Sequence, residues 1–553
     1  MIWPFYVVVH FIVIDCLWKK KRYLAYGISI LAILSIIGNT IPLTQSWFEA
    51  SRQWACLSAI GWQQQICGNA LRTETIFARD LHNPDHGNYV TIGITDGSDP
   101  FIFDGSHDNS AEKEVITKIA QENAVVAKAS HIDLVVLTTL SRTLDDFKQS
   151  VSVGIEDLRG AYLSIKTYNN KDTNTIKVRL LIANVGTMDT VDTTVPLIMD
   201  QILVLSQQDS ALRGMIGLPF SQATKVALTG DWKRYHSSIP LISPSATSND
   251  FSNTPLFYRI SSSDKQQVCD MVHEIKTNLG PAYTKIDPNS NPRFTIALFY
   301  DEGDAYSFSL EQSTRGIIAQ DERYLLPGCA GATDINLIPE KITLNNADTY
   351  QAAIKDAVAA RADMIFFAGY VSDLNAFETQ LESVQKFGYR IPIVGADGLF
   401  DIAGNITVSY TDVYSTTYAS PVEARNSVLS NLLELYQQNF GKLQVRGVKP
   451  LLPPHAILAY DAASAFLEAL DNSRSSQSQL PGQDAFNSAL ATVNFRGASG
   501  LVQFQGNSRT DSSNPLNKPV YIMCEDKNFQ LREVAKYDPD RQPVDDIANC
   551  GQQ

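Results

Sequence analysis

Residues 241–267, LISPSATSNDFSNTPLFYRISSSDKQQ, form the part of the chain whose residue types are best suited to hold a ligand. A strand-like run ends in a Ser/Thr-rich loop, passes a Pro-bearing connection, returns as the short segment FYRI and meets Ser-Asp at a helix start. Small hydroxyl residues after a strand gather Oγ donors and backbone N–H groups, a combination that suits a carboxylate or similar anion. The same residues would serve a plain N-cap loop, so both readings stand on chemistry alone. Other constellations are poorer. His82 and His86 are four apart, but Pro84 between them prevents a shared helix face. Asp96, Asp99, Asp104 and Asp108 are spaced by Gly and Ser yet miss the order of a Ca²⁺ loop. There is no G-x-S-x-G elbow, Walker A loop or G-x-G-x-x-G turn after a strand. No catalytic residue, metal or cofactor is therefore expected, and the chain reads as a binder, not an enzyme.

Short apolar runs must position that loop. They are YVTIGIT, IDLVVLTTL, IKVRLLIANVG, ALRGMIGLP, IPLIS, FTIALFY, MIFFAGY and IPIVGA, beginning at Tyr89, Ile132, Ile176, Ala211, Ile239, Phe294, Met364 and Ile391. Each is nearly continuous in apolar character, as expected of parallel strands covered on both faces. Helix-period stretches such as TYQAAIKDAVAARA and LNAFETQLESVQKFG lie between them, the second ending at Gly388 as a C-cap. Such alternation predicts doubly wound α/β domains.

At 553 residues the chain has room for several domains, and its net charge of -14 argues against a nucleic-acid partner. Residues 23–43 hold 21 residues without a charge. As a helix they would span roughly 32 Å, enough to cross a hydrocarbon core. Lys19, Lys20, Lys21 and Arg22 precede them and should stay cytoplasmic, placing the large remainder outside. No small-residue cleavage site follows, so an uncleaved anchor is expected. Residues 2–18 are a shorter apolar stretch that either spans or lies at the interface. Six cysteines follow the anchor, and in an oxidising compartment they allow 15 pairings. The pairs closest in sequence, Cys56 with Cys67 and Cys524 with Cys550, are preferred.

Four landmarks resemble the type I periplasmic binding proteins, especially the leucine/isoleucine/valine-type receptors of ABC importers. They are GLPFSQATKVAL from Gly217, PLISPSATSND with FYRISSSDKQQ, AYDAASAFLEAL from Ala459, and FRGASGLVQFQGNSRT from Phe495. The resemblance implies two doubly wound lobes joined by three crossovers, near Arg259, Gly398 and Phe495. Residues 1–45 would be the anchor and 46–87 a juxtamembrane segment. Residues 88–258 with 412–494 would form lobe 1, and 259–411 with 495–550 lobe 2. Residues 88–130 depart from the family pattern and are expected to add a strand and a helix at the lobe edge.

Carried over residue by residue, the family's ligand-carboxylate contacts fall on Ser221, Ser245, Ala246 and Thr247. Its covering aromatics fall on Tyr306 and Tyr370, and the acid that pairs with an ammonium falls on Asp397. The family's acid is commonly Glu, so Asp397 is one methylene shorter. The resemblance implies an extracytoplasmic solute-binding protein that takes an amino acid or similar amphoteric solute and delivers it to ABC permease subunits. The alternative is an anchored sensor or scaffold that signals through a partner protein.

Overall fold

The computed structural model describes residues 71–537, apart from 80–86, 99–109, 142–148, 230–238, 252–253, 284–293, 327–328, 330–331, 333, 345, 386–389, 401–410, 422–425, 444–450, 475–479, 505–513 and 526–530. Both anchor segments, Cys56, Cys67, Cys550, His82, His86 and Gly388 lie outside the described residues. Among the described residues no helix is long and apolar enough to cross a membrane, and no His/Cys/Asp/Glu group could hold a metal ion.

Two seven-stranded sheets organise the chain. The first has the order β1-β2-β4-β3-β5-β6-β7, from Thr73–Arg79, Gly87–Thr95, Lys177–Asn184, His131–Thr138, Leu212–Gly217, Leu241–Ser243 and Phe257–Arg259. Strands β3 to β7 pair in parallel, and their side chains are buried almost throughout. Helices cover both faces, which is why these runs need no polar alternation. The expectation of parallel pairing fails at one edge, where β2 runs antiparallel to β4 and β1 antiparallel to β2. Residues 73–79, expected to belong to a juxtamembrane stretch, thus complete the sheet as the outer arm of a hairpin. The extra strand and helix expected over 88–130 are β2 and α1 (Ser110–Val126).

The second sheet has the order β16-β15-β12-β11-β10-β8-β9, from Leu531–Tyr537, Val520–Glu525, Val413–Thr417, Ile393–Gly395, Met364–Phe367, Phe294–Tyr300 and Ile335–Lys341. Its β12-β11-β10-β8-β9 part is parallel, and β15 and β16 are added antiparallel. The chain leaves the first sheet after Arg259, the last residue of β7. It leaves the second only after β12, so the boundary drawn at residue 412 falls too early. The sequence VYSTT of β12 gives no apolar run, yet all five of its residues are buried.

Beyond β12 the chain returns to the first sheet. Helix α9 (Ser427–Phe440) and α10 (Pro454–Ser473) pack on α2 (Gln149–Asn169). A Cβ at Gly160 of α2 would lie 2.1 Å from the Ala456 carbonyl oxygen, so only glycine lets these two helices approach so closely. The hairpin β13–β14 (Asn494–Gly497, Gly500–Gln503) also sits with this lobe. Asn426, the N-cap of α9, donates to the Gly497 and Ala498 carbonyls, and the Asp461 carboxylate accepts from the Ala498 and Ser499 N–H groups at 2.8 and 2.7 Å. The last crossover therefore lies between β14 and β15, later than expected near Phe495. Its Asn514 accepts from Arg259 of the first crossover at 2.8 Å, which ties the two connections together.

Candidate functional site

The carboxyl ends of β5 and β6 carry the hydroxyl loops. Strand β5 ends at Gly217, with φ of 141°, followed by Leu218 at φ 56°. This left-handed turn re-aims the chain so that Ser221 opens helix α4 (Ser221–Thr229). The Leu218 carbonyl accepts from Ser243 Oγ at 2.9 Å and Thr224 Oγ1 at 2.8 Å, which locks the turn to the neighbouring loop.

The loop after β6 differs from expectation. Its N–H groups were expected to gather for a carboxylate, but the loop uses three of them internally. Ala246 N–H donates to Ser243 Oγ at 3.0 Å, and the N–H groups of Thr247 and Ser248 both donate to Ser221 Oγ at 3.2 Å. A hydroxyl that accepts twice still has its own proton to give, so Ser221 remains a donor. Ser245 Oγ donates to the Pro219 carbonyl at 3.0 Å. Thr247 Oγ1 is buried and makes no hydrogen bond of good geometry, although it stands close enough to the Asp264 carboxyl to favour its charged form.

The opposite wall comes from the second sheet. Tyr306 lies in the first turn of α6 (Ala305–Ile318), whose N-cap Asp304 accepts the Ser307 N–H at 2.8 Å. Tyr370 follows β10, donates to Asp304 Oδ2 at 3.2 Å, and stacks on Tyr306 with centroids 5.2 Å apart. The Tyr306 hydroxyl accepts the Gly398 N–H at 2.6 Å. Asp397 follows β11, and its carboxyl and backbone N–H are both bonded to Gln267 of α5 (Asp264–Glu274). Burial, with the nearby Asp264, pushes the Asp397 carboxyl up to about 7, and burial pushes Asp264 up to about 6. Arg259 is wholly buried beside them and donates to the Ala246 and Ser248 carbonyls at 3.2 and 2.8 Å.

The two walls meet around a partly open space of about 40 Å³. Phe220 of the first wall touches Tyr370 of the second edge-on, with centroids 6.2 Å apart. Six of the seven expected residues line this space: Ser221, Ser245, Thr247, Tyr306, Tyr370 and Asp397. Ala246 does not: its N–H is bonded to Ser243 Oγ and its carbonyl to Arg259. His455 lines the space as well and was not anticipated. Its only sequence signal is the Pro453–Pro454 pair, which starts α10 and sets His455 in its first turn. Burial pushes the His455 imidazole down to about 4, so the ring is neutral. The arrangement offers hydroxyl donors on one side, a carboxyl on the other and aromatic faces between them.

The expected Cys56–Cys67 pair lies outside the described residues. Cys269 of α5 is joined to Cys329, a disulfide absent from the preferred pairs. Cys524 is also disulfide-bonded.

No known family model matches the sequence, and neither does any curated protein. Solved structures do match. A leucine binding protein from Thermotoga maritima is 16% identical, covering 74% of this chain and 99% of its own, with a TM-score of 0.55. A branched-chain amino acid transporter substrate binding protein from Streptococcus pneumoniae, in complex with isoleucine, is 18% identical, with coverage of 75% and 99% and a TM-score of 0.51. A solute binding protein of an ABC transporter from R. palustris, in complex with 4-hydroxybenzoate, is 14% identical, with coverage of 74% and 97% and a TM-score of 0.52. At these identities the likeness is one of fold.

Proposed function

We propose that this chain, which has the fold of the type I periplasmic binding proteins, captures a small amphoteric solute between its lobes for an ABC-type importer. The solute class that fits is the α-amino acid. The observation that carries this reading is the cavity itself, with the Ser221 and Thr247 hydroxyls on one wall and the Asp397 carboxyl on the other. Hydroxyl donors favour a carboxylate, and a buried carboxyl favours an ammonium, so together they select a ligand with both charges. The leucine, isoleucine and 4-hydroxybenzoate named for the similar structures all carry a carboxylate, which supports the donor side.

The space of about 40 Å³ between the walls has room for only a few waters. This small volume supports a binding cycle in which the lobes part and close again about the three crossovers. The charge-free residues 23–43 support an anchor that holds this domain on the outer face of a membrane. The absence of a cleavage site after them favours one second reading, an anchored sensor that passes closure to a partner protein. Native mass spectrometry of gently purified, detergent-solubilised protein tests the main reading. A retained amino acid supports it, and a retained neutral sugar overturns it.

A further inference from the structure

His455 occupies the cleft wall without a part in the amphoteric-solute reading. Its position follows from the helix packing. Gly160 lets α2 and α10 cross closely, and Asp157, one turn before Gly160, is thereby brought behind the imidazole. Asp157 Oδ2 accepts from Thr138 Oγ1 at 3.0 Å, while Oδ1 is buried without a hydrogen-bond partner and lies 3.8 Å from His455 Nδ1. Ser245 Oγ stands 3.4 Å from the same nitrogen. Because Ser245 gives its own proton to the Pro219 carbonyl, the contact with His455 requires the ring proton to sit on Nδ1. Nδ1–H then faces Ser245 Oγ and the unpartnered Asp157 oxygen. Nε2 is left with its lone pair and makes no hydrogen bond among the described residues. Burial keeps the imidazole uncharged, so Nε2 acts as a neutral acceptor.

We propose that His455, held in this tautomer by Ser245, is a specificity-determining residue that selects solutes whose side chain carries a hydrogen-bond donor, a hydroxyl or an amide, over aliphatic ones. A closed cleft that buries Nε2 against an aliphatic chain leaves an acceptor unpaired, and sites built to bond a polar group reject analogues lacking it. Ser245 on this view supports His455, its hydroxyl being committed on both sides. The inference rests on the amphoteric-solute reading above.

The test is calorimetric titration of the detergent-solubilised full chain with serine, threonine, asparagine and glutamine, and with leucine, isoleucine and valine. The polar set should bind at least about tenfold more tightly. His455→Phe, which keeps a ring but removes the acceptor, should abolish that preference, and His455→Gln, which restores an acceptor, should recover part of it. Tighter binding of the aliphatic set overturns the inference and leaves the amino-acid reading intact. So does an unchanged preference in folded His455→Phe. Failure of every amino acid to bind overturns both.

Discussion

Gln267 clasps Asp397 at two points: its Nε2 donates to the Asp397 carboxyl at 2.9 Å, and its Oε1 accepts the Asp397 backbone N–H at 3.1 Å. The same Nε2 donates to Asp264 Oδ1 at 2.7 Å, and the Oε1 accepts from Thr416 Oγ1 at 2.6 Å. One amide thus bridges two buried acids and joins the first crossover to β12. The carboxyl assigned to a ligand's ammonium is oriented before any ligand arrives, which lowers the ordering cost of binding.

Gln267→Leu conserves volume but strands the Asp397 N–H and both carboxyls. It should destabilise the protein by about 2–4 kcal/mol, since each buried group left unpaired costs about 1–3 kcal/mol. A denaturant melt compared with the parent reads this directly, and a change within about 0.5 kcal/mol would contradict the bridging role.

If Asp397 pairs with the ligand's ammonium as proposed, its raised carboxyl should make binding depend on pH. A carboxyl lifted from 3.8 to about 7 holds its proton more tightly when folded. It therefore opposes folding increasingly as pH climbs from about 4 to about 7, and no further above that. Asp397→Asn should accordingly gain melting temperature relative to the parent between pH 5 and pH 8. A cationic ligand group requires the ionised form, so affinity should level off near pH 8, until the ligand's own ammonium deprotonates, and should fall towards tenfold per unit well below 7. Titration calorimetry in two buffers of different ionisation enthalpy should detect the released proton at pH 6.

The two hydroxyls of the first wall should behave differently. Ser221→Ala removes the acceptor of the Thr247 and Ser248 N–H groups and should lower stability by about 1–3 kcal/mol as well as weaken binding. Thr247→Ala removes a hydroxyl with no good internal partner, so it should weaken binding by about 1 kcal/mol and leave stability nearly unchanged. Equal melting temperatures for the two variants would show that Ser221 does not hold the loop.

The Cys269–Cys329 bridge pins α5, which carries Gln267, to the segment after α6. Replacing both cysteines with alanine should cost about 2–4 kcal/mol of stability. Non-reducing peptide mapping should recover this pair and find Cys524 joined to Cys550. Free thiol at Cys269 in oxidised protein would contradict the bridge.

Strands covered on both faces announced themselves as apolar runs, and the loops at their carboxyl ends carried landmarks clear enough to place six cleft residues. What escaped the sequence has physical reasons. The VYSTT of β12 is buried although four of its five residues carry hydroxyls, three of which (Tyr414, Thr416 and Thr417) find partners, so hydropathy does not mark it. The antiparallel edge β1–β2 depends on pairing, and a single apolar run carries no direction. The N–H groups of Thr247 and Ser248 are free or taken according to where Ser221 lies, 26 and 27 residues away in the chain. His455 reaches the cleft because Gly160 lets two helices meet, a contact 296 residues apart that no local pattern records.

The most direct test of the central claim, an amphoteric solute held between Ser221/Thr247 and Asp397, is calorimetric titration at pH 8 with an amino-acid panel, then with the best ligand against Asp397→Asn. Losing one partner of a buried charged pair costs about 2–5 kcal/mol, so the variant should bind the best ligand at least about 30-fold more weakly. Unchanged affinity in Asp397→Asn, or tight binding of neutral sugars alone, would contradict the claim.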